Sequence, residues 1–245
     1  MALSSYQQVQ QVKDHYNTIS GHFAQTRKKK LWPEILPFIK LIKTDMKVLD
    51  IGCGSGRLLT EIKHKRISYL GLDFSKNLLN LAKKRFQNRR FLLRDITTPK
   101  GWHNIGQYDV IFCLGVLHHI PDQLRQHRVL QYMYEHTKPG GFIIISVWNL
   151  WQIRFWKYHL RQIKNKFKYG NPSYVWIPYL VSDGTKVIKK VNRFCKAYYA
   201  GELIQLVRQA GFKIDTFYYA SQDKTHQSIF TGRNFCLLAR KGIIS

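Results

Sequence analysis

VLDIGCGSGRLL, Val48 to Leu59, sets a short apolar run ending in Asp50 directly against glycines at 52, 54 and 56. A run of that length, bounded by turn residues, reads as a buried strand, and the RLLTEIKHK pattern behind it reads as a helix. Glycine has no Cβ, so the turn between them admits dihedrals closed to other residues and lets a ligand touch the backbone. The alternation continues outward. ISYLGLD is a second strand and SKNLLNLAKKRFQ a second helix, with Ser75 placed as its N-cap. RRFLLRDI and YDVIFCLGVL give a third and a fourth strand, QLRQHRVLQYMYEHTKPGG a helix stopped by Pro139 and its glycines, and FIIISVW a fifth strand, apolar throughout. Beyond an insertion, AGELIQLVRQAGF reads as a helix, and KIDTFYYA with NFCLLARK as a hairpin that closes the sheet. Strands alternating with helices predict an α/β fold, a doubly wound Rossmann-like sheet of seven strands in one domain. The expected divisions are an N-terminal helical lid (1–45), a ligand-binding core (46–149), a basic helical insertion after the fifth strand (150–196), and a C-terminal helix and hairpin (197–245).

The chain has 245 residues, with 40 Lys and Arg against 14 Asp and Glu, a formal charge of +26. Such a surplus points to a polyanionic partner, either nucleic acid or an anionic membrane surface. Cys53, Cys113, Cys195 and Cys236 stand far apart without a C-x-x-C pair, which argues against a disulfide framework and against a zinc site. No metal is expected. No apolar run approaches the roughly 20 residues of a membrane span, and residues 1–25 lack the apolar centre of a signal peptide. A soluble, cytoplasmic protein is the expectation.

In doubly wound sheets ligands bind at the carboxyl ends of the strands. Three acids stand there: Asp50 before the glycine turn, Asp73 closing the second strand, and Asp95 closing the third. Asp73 is placed to accept from both hydroxyls of a ribose, and Asp95 from an adenine amino group. Asp50 decides between cofactors. A dinucleotide site sets pyrophosphate against this turn and spaces its glycines G-x-G-x-x-G. Here the spacing is G-x-G-x-G, and Asp50 would repel an anion. It would attract an ammonium group, so S-adenosylmethionine fits, with its amino-acid head, sulfonium, ribose and adenine. Cys53, Phe74, Ile96 and Leu114, next to these positions, complete the candidate cofactor set. Together VLDIGCGSG, LGLDFS, LLRDIT, YDVIFCLGVLHH and KPGGFIIIS resemble the class I methyltransferases.

Two further stretches narrow the acceptor. HYNTISGHFAQTR, followed by LWPEI, resembles the opening of the tRNA wobble-uridine carboxymethyl methyltransferases: Tyr16, Ile19, His22, Phe23, Thr26, Arg27, Trp32 and Pro33 match. ISVWNLWQ and RFCKAYYAGEL resemble later segments of that family, although the second departs from its R-Y-Y-H pattern and one extra residue separates Arg27 from Trp32. The resemblance implies methyl transfer to the carboxylate of a carboxymethyl group on the wobble uridine of tRNA, with a small activator subunit as a possible partner. It implies a cofactor role for Tyr16 and Arg27, and makes Arg193 and Arg27 candidates to clamp the acceptor carboxylate. His118 and His119 follow the fourth strand, where the acceptor enters. One of the pair is expected in the pocket and the other in packing, and His118, Arg193 and Tyr198 are the candidate acceptor-site residues.

In the insertion, Arg154, Lys157, Arg161, Lys164 and Lys168 fall on one stripe at helical spacing, and Ile153, Trp156, Leu160, Ile163 and Phe167 on the neighbouring one. No acid interrupts the pattern. A face of this density suits an RNA phosphate backbone, and peripheral contact with an anionic membrane is the alternative. RKKK at 27–30, KHKR at 63–66 and KKRFQNRR at 83–90 spread charge over the body as well, which favours RNA. The rival readings are a methyltransferase for a small or lipid-like acceptor, such as a quinone or carboxylic acid, and an RNA-binding protein that keeps the fold without turnover.

Overall fold

The computed structural model describes residues 5–26, 31–164, 173–183, 185–221 and 224–243. The sheet is built from β1 (Lys47–Ile51), β2 (Ser68–Asp73), β3 (Arg90–Leu93), β4 (Tyr108–Leu114), β5 (Thr137–Trp148), β8 (Lys213–Ser221), β9 (Lys224–Gln227) and β10 (Asn234–Arg240). Their order is β3-β2-β1-β4-β5-β10-β8-β9. β1 to β5 run parallel, and β10 lies antiparallel between β5 and β8. Seven of these strands are the expected sheet, and the short β9 adds an eighth at the edge of β8.

Alternation along the strands explains why both faces are apolar. Leu49 and Ile51, Ile111 and Cys113, and Ile143 and Ile145 point into one core with residues of α5 (Gln123–His136) and α7 (Ala200–Gln209). Val48, Val110, Phe112, Phe142 and Ile144 point into the other, against α2 (Leu36–Ile39), α3 (Leu59–Ile62) and α4 (Lys76–Arg85). A strand covered on both sides has no position for a polar side chain except near its ends, and Asp50 and Asp73 stand at such ends. The order reverses between β1 and its neighbours β2 and β4, which opens a crevice above the carboxyl end of β1. Ser75 caps α4 as expected, accepting from the Leu78 amide at 3.4 Å.

α1 (Ser5–Thr26) packs against α4 and against a separate two-stranded sheet, β6 (Tyr174–Ser182) paired antiparallel with β7 (Val187–Lys196). That hairpin corrects the expectation of a basic helical insertion, which among the described residues is helical only in its first part. That part is α6 (Trp156–Lys164) and the short turn before it. YVWIPYLVS and VIKKVNRFCK are rich in β-branched and aromatic residues. Burial alternates from Lys190 to Arg193, and from Arg193 to Lys196 every residue is buried, so the strand leaves the half-covered edge and enters the body.

Candidate active site

The crevice is a groove roofed by α1. Gly52 has φ +69°, and a Cβ there would stand 2.2 Å from Val116 Cγ2, so the turn after β4 can close over it only if the side chain is absent. Gly54, at φ +55°, has open space where its Cβ would be and lines the groove. Gly56 does not line it. A Cβ there would press on the Phe86 ring at 2.8 Å, so this third glycine makes room for that packing.

The acids differ in how they are held. Asp50 is buried and accepts a hydrogen bond from the Tyr69 hydroxyl at 2.8 Å. Burial pushes its carboxyl up to about 7, helped by the nearby Asp73 and opposed by the Tyr69 bond. Asp73 accepts the Gly54 amide on one oxygen at 2.9 Å and the Ser75 amide on the other at 2.8 Å. Burial raises it to about 6 despite those bonds. Each oxygen keeps a lone pair for a further donor. Asp95 is tied on both oxygens: Oδ1 accepts from the Thr97 amide and hydroxyl at 2.9 and 2.7 Å, and Oδ2 pairs with Lys13 of α1 at 2.8 Å. Burial alone would raise Asp95, but Lys13 and Thr97 outweigh it and hold it below the usual carboxylate range. Asp95 lines the groove, and Oδ2 keeps a lone pair beside Lys13 for a further donor such as the expected adenine amino group.

A carboxyl raised from its unfolded value of about 3.9 stabilises the fold below that pH and loses its contribution as pH rises through its folded value. Asp50 and Asp73 are thus expected to destabilise the unliganded chain between about pH 4 and about pH 7. A bound cation favours their charged forms, so affinity for S-adenosylmethionine rises over the same range. Calorimetry at several pH values checks this, and Asp50→Asn should flatten the profile. A wild-type profile already flat would contradict it.

The other expected cofactor residues, Tyr16, Cys53, Phe74, Ile96 and Leu114, all line the groove. Arg27 lies outside the described residues. Tyr16 meets His119 Nε2 at 2.7 Å, and its ring packs edge-on to Phe74 and Phe23. Asn17 accepts from the Ser75 hydroxyl at 2.8 Å, a further tie between α1 and the body beside Lys13–Asp95 and Tyr16–His119.

Of the histidine pair, His119 lines the groove and His118 does not. His118 is fully buried between His119 and Trp148, with neither ring nitrogen hydrogen-bonded, and its pKa falls well below the ordinary value through burial, His119 and Arg193. Its place at the acceptor entrance is corrected accordingly. Tyr198 is corrected too. It is completely buried in the core below α7, its hydroxyl without a partner, because the chain leaving β7 turns inward there to start the helix. Arg193 is otherwise. Its guanidinium is buried and stacked between Trp148 at 4.7 Å and Tyr179 at 4.9 Å, and Nε and Nη1 have no hydrogen-bond partner. Trp148 itself lines the groove. His22 of α1 holds the Tyr179 hydroxyl at 2.9 Å, so the lid buttresses the aromatic seat of Arg193.

Phe155 from the turn before α6, and Tyr158 and His159 of α6, face the body, where the His159 ring stacks on Trp151 at 4.6 Å. Arg154, Lys157 and Arg161 are exposed, and so are the apolar Ile153, Trp156 and Leu160 beside them. The side chain of Lys164 and the whole of Lys168 lie outside the described residues. The sequence reading passed over Lys13, Trp148 and Tyr179 as site residues. Trp148 carried a signal, at the carboxyl end of the fifth strand, whereas Lys13 and Tyr179 reach the site through pairings distant in sequence.

Buried acids beside a glycine turn, apolar walls from Phe74, Ile96 and Leu114, and an ion-paired Asp95 match a cationic nucleoside better than a pyrophosphate. Fold and groove together define a class I, S-adenosylmethionine-dependent methyltransferase. Comparison with known proteins agrees. A family model described as a methyltransferase domain matches residues 21–241, and the chain belongs to that family. Among curated relatives, a tRNA (carboxymethyluridine(34)-5-O)-methyltransferase of Macaca fascicularis is 31% identical over 156 residues, which cover 64% of this chain and 22% of that protein. The chain thus spans about a fifth of that relative's length. Among solved structures, an S-adenosylmethionine-dependent methyltransferase of Methanosarcina mazei superposes with a TM-score of 0.68 at 18% identity, covering 88% of this chain and all of its own. A Haloferax volcanii methyltransferase, solved in complex with the Trm112 methyltransferase activator, gives 0.66 at 14% identity over 96% of this chain and 99% of its own. Likeness at these identities concerns the fold. Among the described residues no helix is long and apolar enough to cross a membrane, and no cluster has the makings of a metal site.

Proposed function

We propose that the chain methylates the carboxylate of a carboxymethyl group on the wobble uridine of tRNA. One observation carries the acceptor assignment: a buried arginine next to the groove, flat between Trp148 and Tyr179, with two donor nitrogens left without protein partners. A guanidinium kept from water without an acid is costly unless an anion completes it, and its planar fork fits a carboxylate. Bound S-adenosylmethionine supplies the methyl group and leaves as a neutral thioether. Asp73 accepts from the ribose hydroxyls of the cofactor and Asp50 faces its ammonium group, while Tyr16 and the apolar walls exclude water. Arg193 orients the acceptor carboxylate. A carboxylic acid of pKa about 4 is ionised at neutral pH, so its oxygen attacks without a general base. Catalysis here is alignment and exclusion of water.

The curated relative named above acts, by its name, on carboxymethyluridine in tRNA, and the charge of +26 suits that partner. Arg154, Lys157 and Arg161 offer an exposed basic stripe to the phosphates. Exchanging all three for Gln is expected to reduce the slope of log affinity against log salt by about two to three, since each phosphate contact contributes about 0.7 to 0.9. Cofactor affinity should not change. An unchanged slope would mean the stripe faces something else. An activator subunit like that of the Haloferax neighbour is a second partner to test, by co-purification.

Exposed Ile153, Trp156 and Leu160 favour a second reading, in which the acceptor is lipid-like and met at an anionic membrane surface. Labelled S-adenosylmethionine incubated with total RNA and, separately, with a lipid extract divides the two. The tRNA reading expects label in RNA, and label in lipid alone would end it.

A further inference from the structure

Past the carboxyl end of β5 the chain turns at Asn149 and gathers three exposed aromatic rings around that turn. Trp156 donates its indole N–H to the Trp151 carbonyl at 3.1 Å. The Asn149 side chain donates to the Ile229 carbonyl, beside the exposed Phe230. Tyr199, the N-cap residue of α7, is 53% exposed although its ring lies on Trp151, with centroids 4.3 Å apart and planes 20° from parallel. Trp151 is fixed from several sides. Its indole N–H donates to the Tyr198 carbonyl at 2.8 Å, its amide to Asn149 Oδ1 at 3.1 Å, and the His159 ring stacks on it at 11°. The Leu150 carbonyl holds His159 Nε2 at 2.9 Å. Tyr199 is therefore a flat ring at the surface, set in place by a rigid stack behind it.

Charge indicates what would cover it. Arg233, whose carbonyl accepts from the Asn149 amide, is exposed, and so are Arg154 and Lys157 on either side of Trp156 in the chain. None of the three joins an ion pair among the described residues. Exposed rings among unpaired cations are the makings of a single-strand nucleic-acid site, where rings stack on bases and cations meet phosphates. The place is also right. Trp148, which lines the groove and stacks on Arg193, precedes Trp151 by three residues, a span of at most about 11 Å.

We propose that Tyr199, backed by Trp151 and His159, is a stacking platform for an unpaired RNA base next to the acceptor nucleotide. This rests on the RNA reading above. Every base has a π-face, so the platform favours looped over paired RNA without reading sequence. In a duplex the base faces are covered by their neighbours, and the basic residues meet phosphates alone.

The test is binding of the full chain, at several salt concentrations, to an RNA hairpin with an unpaired loop and to a duplex of the same length. Tyr199→Leu is expected to weaken loop binding about tenfold, near the low end for one base on one ring, and to leave duplex binding unchanged. The slope of log affinity against log salt should stay the same, because no charge is removed. Tyr199→Phe should bind as the wild type does, since the ring face makes the contact and not the hydroxyl. Tyr199→Trp, with a larger face, should tighten loop binding, and it keeps the test decisive if leucine disturbs the start of α7. Loop binding unmoved by either the leucine or the tryptophan variant, or equal loss on loop and duplex, would overturn the platform and leave the RNA reading standing. Weaker binding of Tyr199→Leu to vesicles of anionic phospholipid, with loop binding intact, would assign the ring to a membrane surface and overturn it too. A wild-type chain that binds neither RNA would sink both.

Discussion

Arg193→Met is expected to abolish transfer to tRNA, by about two to three orders of magnitude, while the chain melts at a higher temperature than the wild type. The two effects have one cause. Arg193 is 6% exposed, stacked between two aromatic rings, and unmatched by any acid in the described ion pairs. The aromatic faces return about 2 kcal/mol of the cost of burying it, and the rest is carried by the fold. Methionine fills similar space without that cost, so a gain of about 1 kcal/mol, or about 2–4 °C, is anticipated for a chain of this size. Stability surrendered for a poised group is the ordinary trade at active sites. Losing the guanidinium removes the fork that orients the acceptor, and misorientation alone costs factors of this order. Single-turnover assays and thermal melts read the two effects separately. Unimpaired transfer, or a lower melting temperature with intact cofactor binding, would show that Arg193 is a structural residue.

Asp73→Ala is the second large effect. The carboxylate already fixes the Gly54 and Ser75 amides, so it organises the glycine turn and the start of α4 together. Its remaining lone pairs are offered to two hydroxyls, and charged hydrogen bonds contribute about 1.5–3 kcal/mol each. A loss of affinity for S-adenosylmethionine of about a hundredfold or more follows. The melting temperature should fall as well, because the Gly54 and Ser75 amides lose their acceptor. Affinity within a factor of two of wild type would place the cofactor elsewhere.

How much of this was legible beforehand depends on distance along the chain. The sheet, the Ser75 cap and the acids at 50 and 73 follow from patterns within a dozen residues, where strand periodicity and glycine chemistry act. Asp95 was legible as an acid after the third strand, but not its pairing with Lys13, which comes from a helix that folds back across the groove. His118 and His119 are neighbours in sequence with opposite fates, decided by which ring meets Tyr16 and Phe194, contacts closed only in three dimensions. Tyr198 looked like a lining residue beside Arg193 and is core. The β6–β7 hairpin was hidden by the helical reading of the basic segment before it, although its β-branched and aromatic residues carried a strand signal. Pairing of His22 with Tyr179 and stacking of Arg193 on both aromatics could not be read from local pattern at all.

The most direct measurement is mass spectrometry of nucleosides from carboxymethyluridine-containing tRNA after incubation with the chain and S-adenosylmethionine, with any activator it co-purifies with. The account predicts that the carboxymethyl nucleoside gains one methyl, that mild alkali removes it as expected of an ester, and that Arg193→Met gives none. A methyl that survives alkali, or a tRNA left unchanged while another acceptor takes the label, would contradict it.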